Sequence, residues 1–245
     1  MILLYILGAL LGVFLLYVLL LGVCSLLVDP EKEYNKNSSF YRFLLDSATA
    51  AAIKLCRIRL HVSGMEKIPK DTKLLFVSNH RSNFDPLITW YALKKWKLAF
   101  ISKPENFKIP FFGRIIRRCC FLPIDRENPR KAIVTINRAA KLLKKQEVSI
   151  GVYPEGTRSK LGNTMLEFHG GSFRCATKSK CAILPVALID CFKVLDQKGS
   201  APVTVQLHYL KPIPYEEFAG MKATEVAAMV KARIDEAIRA HTADL

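Results

Sequence analysis

An uncharged apolar segment at the start of the sequence constrains the fold more than any other feature. Residues 2–28 contain no charged side chain and are dominated by Leu, Val and Ile. As an α-helix, such a segment is long enough to cross the roughly 30 Å hydrocarbon core of a bilayer. A secretory signal peptide is the alternative, but no basic residue precedes the segment, its apolar run is too long, and no A-x-A-like cleavage site follows it. The sequence therefore predicts a retained membrane anchor that either spans the bilayer or dips into one leaflet.

The residues after this segment predict its orientation and its connection to the rest of the chain. Lys32, Lys36 and Arg42 follow the anchor, so the positive-inside rule places the remainder on the cytoplasmic face of the membrane. Apolar residues at helical spacing between positions 41 and 55 then predict an amphipathic helix, with Arg42 and Lys54 off its apolar stripe. This helix either lies on the bilayer or packs on the domain. We divide the chain into an anchor (1–28), a polar linker with the amphipathic helix (29–57) and an α/β domain (58–245).

The balance of charge indicates an anionic partner. Lys and Arg number 37 against 21 Asp and Glu, although 51% of the residues are hydrophobic. A basic and apolar chain is suited to an anionic membrane surface or to phosphorylated ligands. Nucleic acid is disfavoured, because no zinc-finger, RNP or basic-zipper pattern is present and the N-terminal segment is hydrophobic.

The cysteines indicate a reduced compartment. There are seven, an odd number, and they lack CxxC spacing. This usage is typical of free thiols that pack as small apolar side chains rather than of a disulfide framework.

Period-two and buried apolar runs alternate with helical patterns through the domain. This order predicts an α/β fold with a mixed, mostly parallel central sheet flanked by helices. Pro123 within one predicted strand indicates an edge position or a bulge. The predicted strands cover residues 58–63, 74–78, 98–102, 119–124, 148–153, 182–189 and 203–207. The predicted helices cover 87–96, a segment that starts at Asn128-Pro129 with Ile133, Ile136, Ala140 and Leu143 in the core, and 224–241.

The turn between the second strand and its helix carries a histidine and a carboxylate. On one helix, His80 and Asp85 would lie roughly 140° apart, so they meet only if the chain turns between them. Asp85-Pro86 predicts such a turn, with Asp85 as helix N-cap and Pro86 as the first helical residue. A neutral imidazole backed by a carboxylate is a general base. The alternative is that Asp85 only caps the helix; zinc is disfavoured, since the paired His or Cys spacings of metal sites are missing.

A second segment, residues 154–159, has the composition of an anion site. Gly156 permits close backbone approach, Thr157 supplies a hydroxyl, and Arg158 can grip a phosphate with two hydrogen bonds. Glu155 does not suit a phosphate contact and more naturally orients an Arg or the loop. A structural turn with an exposed Arg is the alternative.

Four segments together resemble the motifs of the PlsC-type glycerolipid acyltransferases, and among these the 1-acyl-sn-glycerol-3-phosphate acyltransferases. The motifs occur in the family's order, the resemblance covers roughly residues 58–210, and it implies transfer of a fatty acyl group from acyl-CoA or acyl-carrier protein to the sn-2 hydroxyl of lysophosphatidic acid, without a metal or other cofactor. The four segments are His80-x4-Asp85, Phe121 to Arg126, Tyr153 to Ser159, and Leu184-Pro185-Val186.

The resemblance also implies roles for individual residues. His80 corresponds to the base that activates the acceptor hydroxyl, with Asp85 behind it. His169 departs from the pattern, because many members have Lys there, so the headgroup or donor site here can differ. The residues that match positions assigned to the acceptor's glycerol phosphate are Lys103, Arg126, Glu155, Gly156, Thr157 and Arg158, and Pro185 matches a position linked to the acyl chain.

Three other functions fit the same sequence. One is the same chemistry on glycerol 3-phosphate or another lysophospholipid. A second is transfer through an acylated Cys119 or Cys120. The third is a basic membrane-binding protein without catalytic activity.

Overall fold

A computed structural model describes residues 1–196 and 201–242. Within these residues, seven strands form one sheet in the order β1-β7-β6-β2-β5-β3-β4. Every neighbouring pair is parallel except β6 and β7. The predicted mixed, mostly parallel sheet flanked by helices is confirmed. The strands are β1 (Ile58–Ser63), β2 (Leu75–Ser78), β3 (Leu98–Ser102), β4 (Leu122–Pro123), β5 (Ser149–Val152), β6 (Ile183–Ile189) and β7 (Val203–Tyr209).

The helices flank both faces of the sheet and precede it at the N-terminus. The α-helices are α1 (Ile2–Leu26), α2 (Ser39–Leu55), α3 (Asp85–Ala92), α4 (Phe112–Arg118), α5 (Pro129–Lys144), α6 (Arg174–Ser179), α7 (Lys193–Asp196), α8 (Tyr215–Phe218) and α9 (Ala223–Thr242). Short 3-10 turns cover Met65–Lys67, Lys94–Trp96, Pro104–Lys108 and Gly170–Phe173.

The order of the strands decides where a site can form. The crossover from β2 to β3 runs in one direction along the sheet, whereas those from β4 to β5 and from β5 to β6 run back. Right-handed crossovers in opposite directions put their helices on opposite faces, and accordingly α3 packs with α2 while α5 packs with α6. The neighbouring strands β2 and β5 therefore send their following segments to opposite faces. This leaves a crevice outside their carboxyl ends.

Predictions that depend only on residues close in the sequence are confirmed. Asn128 caps α5, because its side chain accepts a hydrogen bond from the Lys131 N–H at 3.1 Å. Helix α9 buries Val226, Val230 and Ile234 against β6, as its apolar stripe predicts. Pro123 lies in β4, which is the edge strand that its missing N–H requires.

Two predicted elements are shorter than expected. The strand predicted over residues 119–124 is reduced to Leu122–Pro123, because Cys119 ends α4 and Cys120 has a left-handed φ of 63°. The helix predicted to reach Trp96 ends at Ala92 and is followed by a 3-10 turn.

One residue of the predicted core is also misplaced. Ile133 was expected in the core stripe of α5 but is 47% exposed. It lines an open cavity described below rather than the packed core.

Helix α1 is long and apolar enough to cross a membrane, judged by length and composition. Most of it is exposed, but its C-terminal end packs on the domain. The Tyr41 hydroxyl donates to the Cys24 carbonyl at 2.9 Å, and Gly22 lies against the Phe111 ring. The hydrophobic helix is thus joined directly to the domain, while the domain boundaries at residues 28 and 57 stay predictions.

Helix α2 packs on the domain, and Arg42 is the residue that corrects the prediction. We expected Arg42 on the polar side, but it is buried, with its guanidinium 4.4 Å from the Trp90 ring centre. It donates to the Leu98 carbonyl at 3.0 Å and to the Asn37 side-chain oxygen at 2.7 Å. These oxygens satisfy the charge that the apolar surroundings would otherwise penalise. Arg42 therefore fastens α2 to the sheet, while Phe40 and Phe43 face outward.

Candidate functional site

Two loops meet in the crevice at the carboxyl ends of β2 and β5. The first begins with Asn79, whose side-chain amide donates to the Leu188 carbonyl at 2.7 Å and accepts from the Leu188 N–H at 2.8 Å. This side chain thereby continues the pairing of β2 with β6 beyond the last residue of β2, Ser78. These two hydrogen bonds fix the start of the loop, directly before His80.

His80 and Asp85 are brought together by this loop. The His80 Nδ1 lies 2.7 Å from the Asp85 Oδ2. The same oxygen accepts hydrogen bonds from the backbone N–H groups of Arg81 and Ser82. The turn between the two residues is therefore closed around one buried carboxylate, as the spacing requires.

Asp85 does not cap its helix, which corrects the prediction. Phe84 occupies the cap position, and Asp85 is the first residue of α3. The carboxylate points back into the preceding turn because three donors of that turn converge on it. The alternative in which Asp85 serves only as a cap is therefore wrong.

The hydrogen bond to Asp85 determines what the imidazole of His80 can do. A carboxylate partner places the hydrogen on Nδ1 and leaves Nε2 as a proton acceptor. The His80 ring stacks on Tyr153 at a centroid distance of 4.5 Å, and its side chain is 20% exposed. Burial raises the pKa of Tyr153, and the charge of Asp85 adds to this. Tyr153 is thus a neutral, rigid platform against which the base is held.

Glu155 ties the two loops together from below. Its Oε1 accepts from the His80 N–H at 2.6 Å and its Oε2 from the Leu166 N–H at 2.8 Å. The residue is 2% exposed. Burial raises the pKa of Glu155, while the two N–H groups and Arg81 act in the opposite direction. This geometry agrees with the expectation that Glu155 orients the loop and gives it no direct path to a phosphate.

Two cavities flank the loops. The apolar cavity, of about 450 Å³, has isoleucines in its wall and basic residues at its rim. The basic cavity, of about 350 Å³, lies on the other side. The lining of the apolar cavity includes Arg126, Ile133, Tyr153, Gly156 and His169. The lining of the basic cavity includes Arg81, Thr157, Arg158, Ser159, Lys160 and Asp196.

The structure divides the predicted anion-binding residues between these cavities. Arg126 and Gly156 line the apolar cavity, whereas Thr157 and Arg158 line the basic cavity. Lys103 is exposed after β3 and lines neither cavity. His80 also lines neither, but it borders the apolar cavity through Tyr153 and precedes Arg81 of the basic cavity. The imidazole therefore lies next to a residue of the apolar cavity, and the next residue in the chain lines the basic cavity.

Gly156 is required by its conformation and its neighbours. Its φ is +72°, and an added Cβ would lie 3.0 Å from His169 Cδ2 and 3.6 Å from Arg126 Nη1. A side chain here would be strained and would crowd His169 and Arg126 in the lining of the apolar cavity. Burial lowers the pKa of Arg126 from its ordinary value, and Glu105 acts in the opposite direction.

The sequence motifs predicted no individual role for Arg81 or Tyr153. Arg81 is buried beside the basic cavity, and Tyr153 supports His80. The available signal for Arg81 was its place in a tight turn between His80 and Asp85, where a neighbouring side chain must point away from the His–Asp contact. Tyr153 had no comparable local signal.

Neither candidate cysteine is placed as a nucleophile. Cys119 and Cys120 are fully buried, and burial raises their pKa values to about 12 and about 11. A thiol with such a pKa is not ionised near neutral pH, and the thiolate is the reactive form. All seven cysteines are free thiols.

No metal-binding set was found in the described part of the chain. Across residues 1–196 and 201–242, no three His, Cys, Asp or Glu side chains converge as a set that could hold a metal ion. The metal-independent mechanism stays a prediction.

Comparison with known proteins identifies the family. The family model described as Acyltransferase matches residues 59–189. A chloroplastic 1-acyl-sn-glycerol-3-phosphate acyltransferase of Arabidopsis thaliana is 30% identical over 228 residues, which are 92% of this chain and 60% of that protein. The 1-acyl-sn-glycerol-3-phosphate acyltransferase of Escherichia coli (strain K12) is 29% identical over 164 residues, which are 67% of this chain and 66% of that protein. The chain thus spans about three fifths to two thirds of the length of these relatives.

A solved structure has the same architecture. The crystal structure of the 1-acyl-sn-glycerophosphate (LPA) acyltransferase PlsC from Thermotoga maritima aligns with a TM-score of 0.69 and 26% identity, over 83% of this chain and 81% of that one. The matched family model covers both loops of the crevice, including His80, Asp85 and residues 153–159. The chain therefore belongs to the acyltransferase family.

Proposed function

We propose that this protein transfers a fatty acyl group from the thioester of acyl-CoA or acyl-carrier protein to the sn-2 hydroxyl of lysophosphatidic acid, forming phosphatidic acid. The observation that carries this proposal is the 2.7 Å contact of His80 Nδ1 with Asp85 Oδ2, beside Tyr153 of the apolar cavity and Arg81 of the basic cavity. A lipid acceptor offers an alcohol, a fatty chain and an anionic end, and this site offers a base beside both kinds of surface.

The reaction needs no protein nucleophile. The Nε2 of His80 accepts the proton of the acceptor hydroxyl while the oxygen attacks the thioester carbonyl. The new C–O ester bond forms, the C–S bond breaks, and the thiolate leaves with the proton that the imidazolium returns. Asp85 stabilises the imidazolium during this step. Because a thioester is already activated, positioning supplies much of the rate.

We assign the acceptor phosphate to the loop after β5. Arg158 and Thr157 line the basic cavity and offer a fork of N–H donors and a hydroxyl. Arg126 lines the apolar cavity and lies beside Gly156 of the same loop, where the missing side chain leaves room for its guanidinium. Lys103 remains a more distant candidate on the exposed segment after β3. Glu155 acts by holding the loop rather than by touching the lipid.

We further propose that α1 anchors the protein with the domain on the cytoplasmic face, at an anionic membrane surface. The support is the exposed apolar helix, the basic residues that follow it, and the outward-facing Phe40, Phe43 and Phe111 beside it. With this arrangement, an acceptor lipid in the membrane would reach the crevice while it stays at the bilayer surface.

The test is an acceptor and donor panel with the purified full chain in vesicles. Labelled acyl-CoA or acyl-carrier protein is supplied with lysophosphatidic acid, glycerol 3-phosphate or a lysophospholipid. We expect His80→Ala to lower kcat at least about 100-fold with lipid binding retained, and His61→Ala, an exposed histidine on β1, to leave kcat unchanged. Turnover with another acceptor but not with lysophosphatidic acid would favour the alternative substrates. Lipid binding without turnover on any acceptor, in wild type and in His80→Ala alike, would favour a non-catalytic lipid-binding protein.

A further inference from the structure

The guanidinium of Arg81 is buried without a partner. Arg81 is 5% exposed, and its three nitrogens have no hydrogen-bond partner among residues 1–196 and 201–242. Three of the six buried side-chain polar atoms without a partner in this part of the chain belong to this one group. An unpaired buried charge is expensive, and arginine does not escape the cost by losing its proton. A ligand that pairs with this guanidinium would account for a buried arginine at this position.

The carboxylates near Arg81 accept no hydrogen bond from its guanidinium, although the Asp85 Oδ1 also lacks a hydrogen-bond partner among residues 1–196 and 201–242. Glu155 and Asp85 act to raise the pKa of Arg81, but burial has the larger, opposite effect. Glu155 uses both oxygens on backbone N–H groups, and the Asp85 Oδ2 holds His80 and the turn. These two negative charges temper the cost of the buried cation at a distance without using its N–H groups. The donors of Arg81 remain available to a ligand.

The side chain of Arg81 contributes to the lining of a cavity, while its three nitrogens are buried. Arg81 lines the basic cavity with Thr157, Arg158 and Lys160, while Asp196 lies in the same lining. The backbone N–H of Arg81 is held by Asp85, and the His80 carbonyl accepts from the Ser159 N–H at 3.0 Å. The turn and the loop after β5 are therefore locked side by side, which keeps Arg81 and Arg158 in the lining of one cavity. The cavity has a buried positive end and a partly acidic lining elsewhere.

We infer that Arg81 is a specificity-determining residue that selects a phosphate monoester over a phosphodiester in the acceptor lipid. This inference rests on the proposed function and names the headgroup class that the site takes. A monoester carries close to two negative charges at neutral pH, whereas a diester carries one. Arg158 and Lys160 are exposed, and at the open side of the cavity they can match the one charge that both headgroups carry. The second charge of a monoester is what the buried guanidinium of Arg81 requires, and a headgroup esterified to that oxygen would also be pressed against the closed end.

The experiment compares two acceptors that differ only in the headgroup. Initial rates are measured with lysophosphatidic acid and with lysophosphatidylglycerol of equal chain length, for the full chain in vesicles. Arg81→Gln should raise the KM for lysophosphatidic acid roughly 10- to 100-fold, while the efficiency with the diester changes less than about threefold. The preference for the monoester should fall by the same factor as KM rises. Arg239→Gln, which removes an exposed arginine paired with Asp235 on α9, should change neither.

A binding measurement separates this inference from the catalytic proposal. The affinity of the protein for glycerol 3-phosphate, a soluble monoester, is measured by calorimetry and should fall by a similar factor in Arg81→Gln. If that variant does not fold, Arg81→Lys keeps the charge but loses the forked geometry, and should raise KM roughly 3- to 10-fold with kcat retained. A folded variant with unchanged KM, headgroup preference and glycerol 3-phosphate affinity would overturn the inference. Failure of the wild type to acylate lysophosphatidic acid would overturn the proposed function instead, and the binding measurement would still test Arg81.

Discussion

Replacing Glu155 by glutamine tests whether this residue holds the site together or contacts the lipid. In the structure, the two carboxylate oxygens accept from two backbone N–H groups, those of His80 and Leu166. A glutamine of the same shape keeps one acceptor oxygen and places an amide NH₂ against the other N–H. Glu155→Gln therefore loses one charge-assisted hydrogen bond and buries two facing donors.

The size of the effect follows from these two contacts. Loss of a charged hydrogen bond costs about 1.5–3 kcal/mol, and an unsatisfied buried donor about 1–3 kcal/mol. Burial raises the pKa of Glu155, so removing its charge returns part of that cost. We expect a net destabilisation of about 1–3 kcal/mol, which for a chain of this length lowers Tm by roughly 2–12 °C. Because the same bond positions His80, kcat should also fall, by roughly 10- to 100-fold, with little change in the KM for the acceptor.

Thermal unfolding and initial rates are measured on the same preparations. The matched control is Glu167→Gln, since Glu167 is exposed and pairs with Lys231 at 3.0 Å. This control should leave both Tm and kcat close to wild type. A contact with the acceptor phosphate predicts the opposite pattern for Glu155→Gln, namely an unchanged Tm and a lower KM, because like-charge repulsion is removed. That outcome would refute the positioning role.

Three further predictions concern other residues. Arg158→Ala should raise the acceptor KM roughly 10- to 100-fold with kcat changed much less, since it removes a forked contact to phosphate; an unchanged KM would remove Arg158 from the site. The double variant Cys119→Ala/Cys120→Ala should retain acyl transfer, and mass spectrometry of wild type incubated with donor alone should find no acylated cysteine; an adduct at either position would contradict the direct mechanism. Burial, assisted by His241 and His61, lowers the pKa of His208 to about 4, so the stability that this neutral histidine provides is present above its ordinary pKa of about 6.5 and is lost as the pH falls towards 4. Tm measured across this range should decline, and the decline should be smaller in His208→Gln.

Local signals in the sequence predicted the parts of the site that depend on near neighbours. The spacing of His80 and Asp85 required a turn, and the chain turns there. Asn128 caps α5 because an Asn-Pro pair suits a helix start whatever surrounds it. The apolar stripe of α9 likewise needed only a period of 3.6 residues.

Most of the wrong predictions concern side chains whose contacts are made by segments far away in the sequence. Arg42 was misplaced because its partners, the Leu98 carbonyl and the Trp90 ring, lie about fifty residues away in the sequence. The error at Asp85 is local: it was expected to cap its helix, but the adjoining turn directs the donors of His80, Arg81 and Ser82 to its carboxylate. The division of Arg126 and Arg158 between two cavities depends on how the loops cross the sheet, which no motif spacing records.

The side-chain amide of Asn79 replaces a peptide group in the strand pairing at the end of β2. The site therefore depends on this amide remaining chemically intact. Deamidation of Asn79 to Asp would keep the shape of the side chain but replace its N–H donor by an oxygen. That oxygen would face the Leu188 carbonyl, which also only accepts hydrogen bonds. The loop would then separate from β6 and His80 would lose its register. Asn79 has no exposed surface, so burial shields it from the water that deamidation requires. Local unfolding at the end of β2 would expose the amide and allow irreversible inactivation.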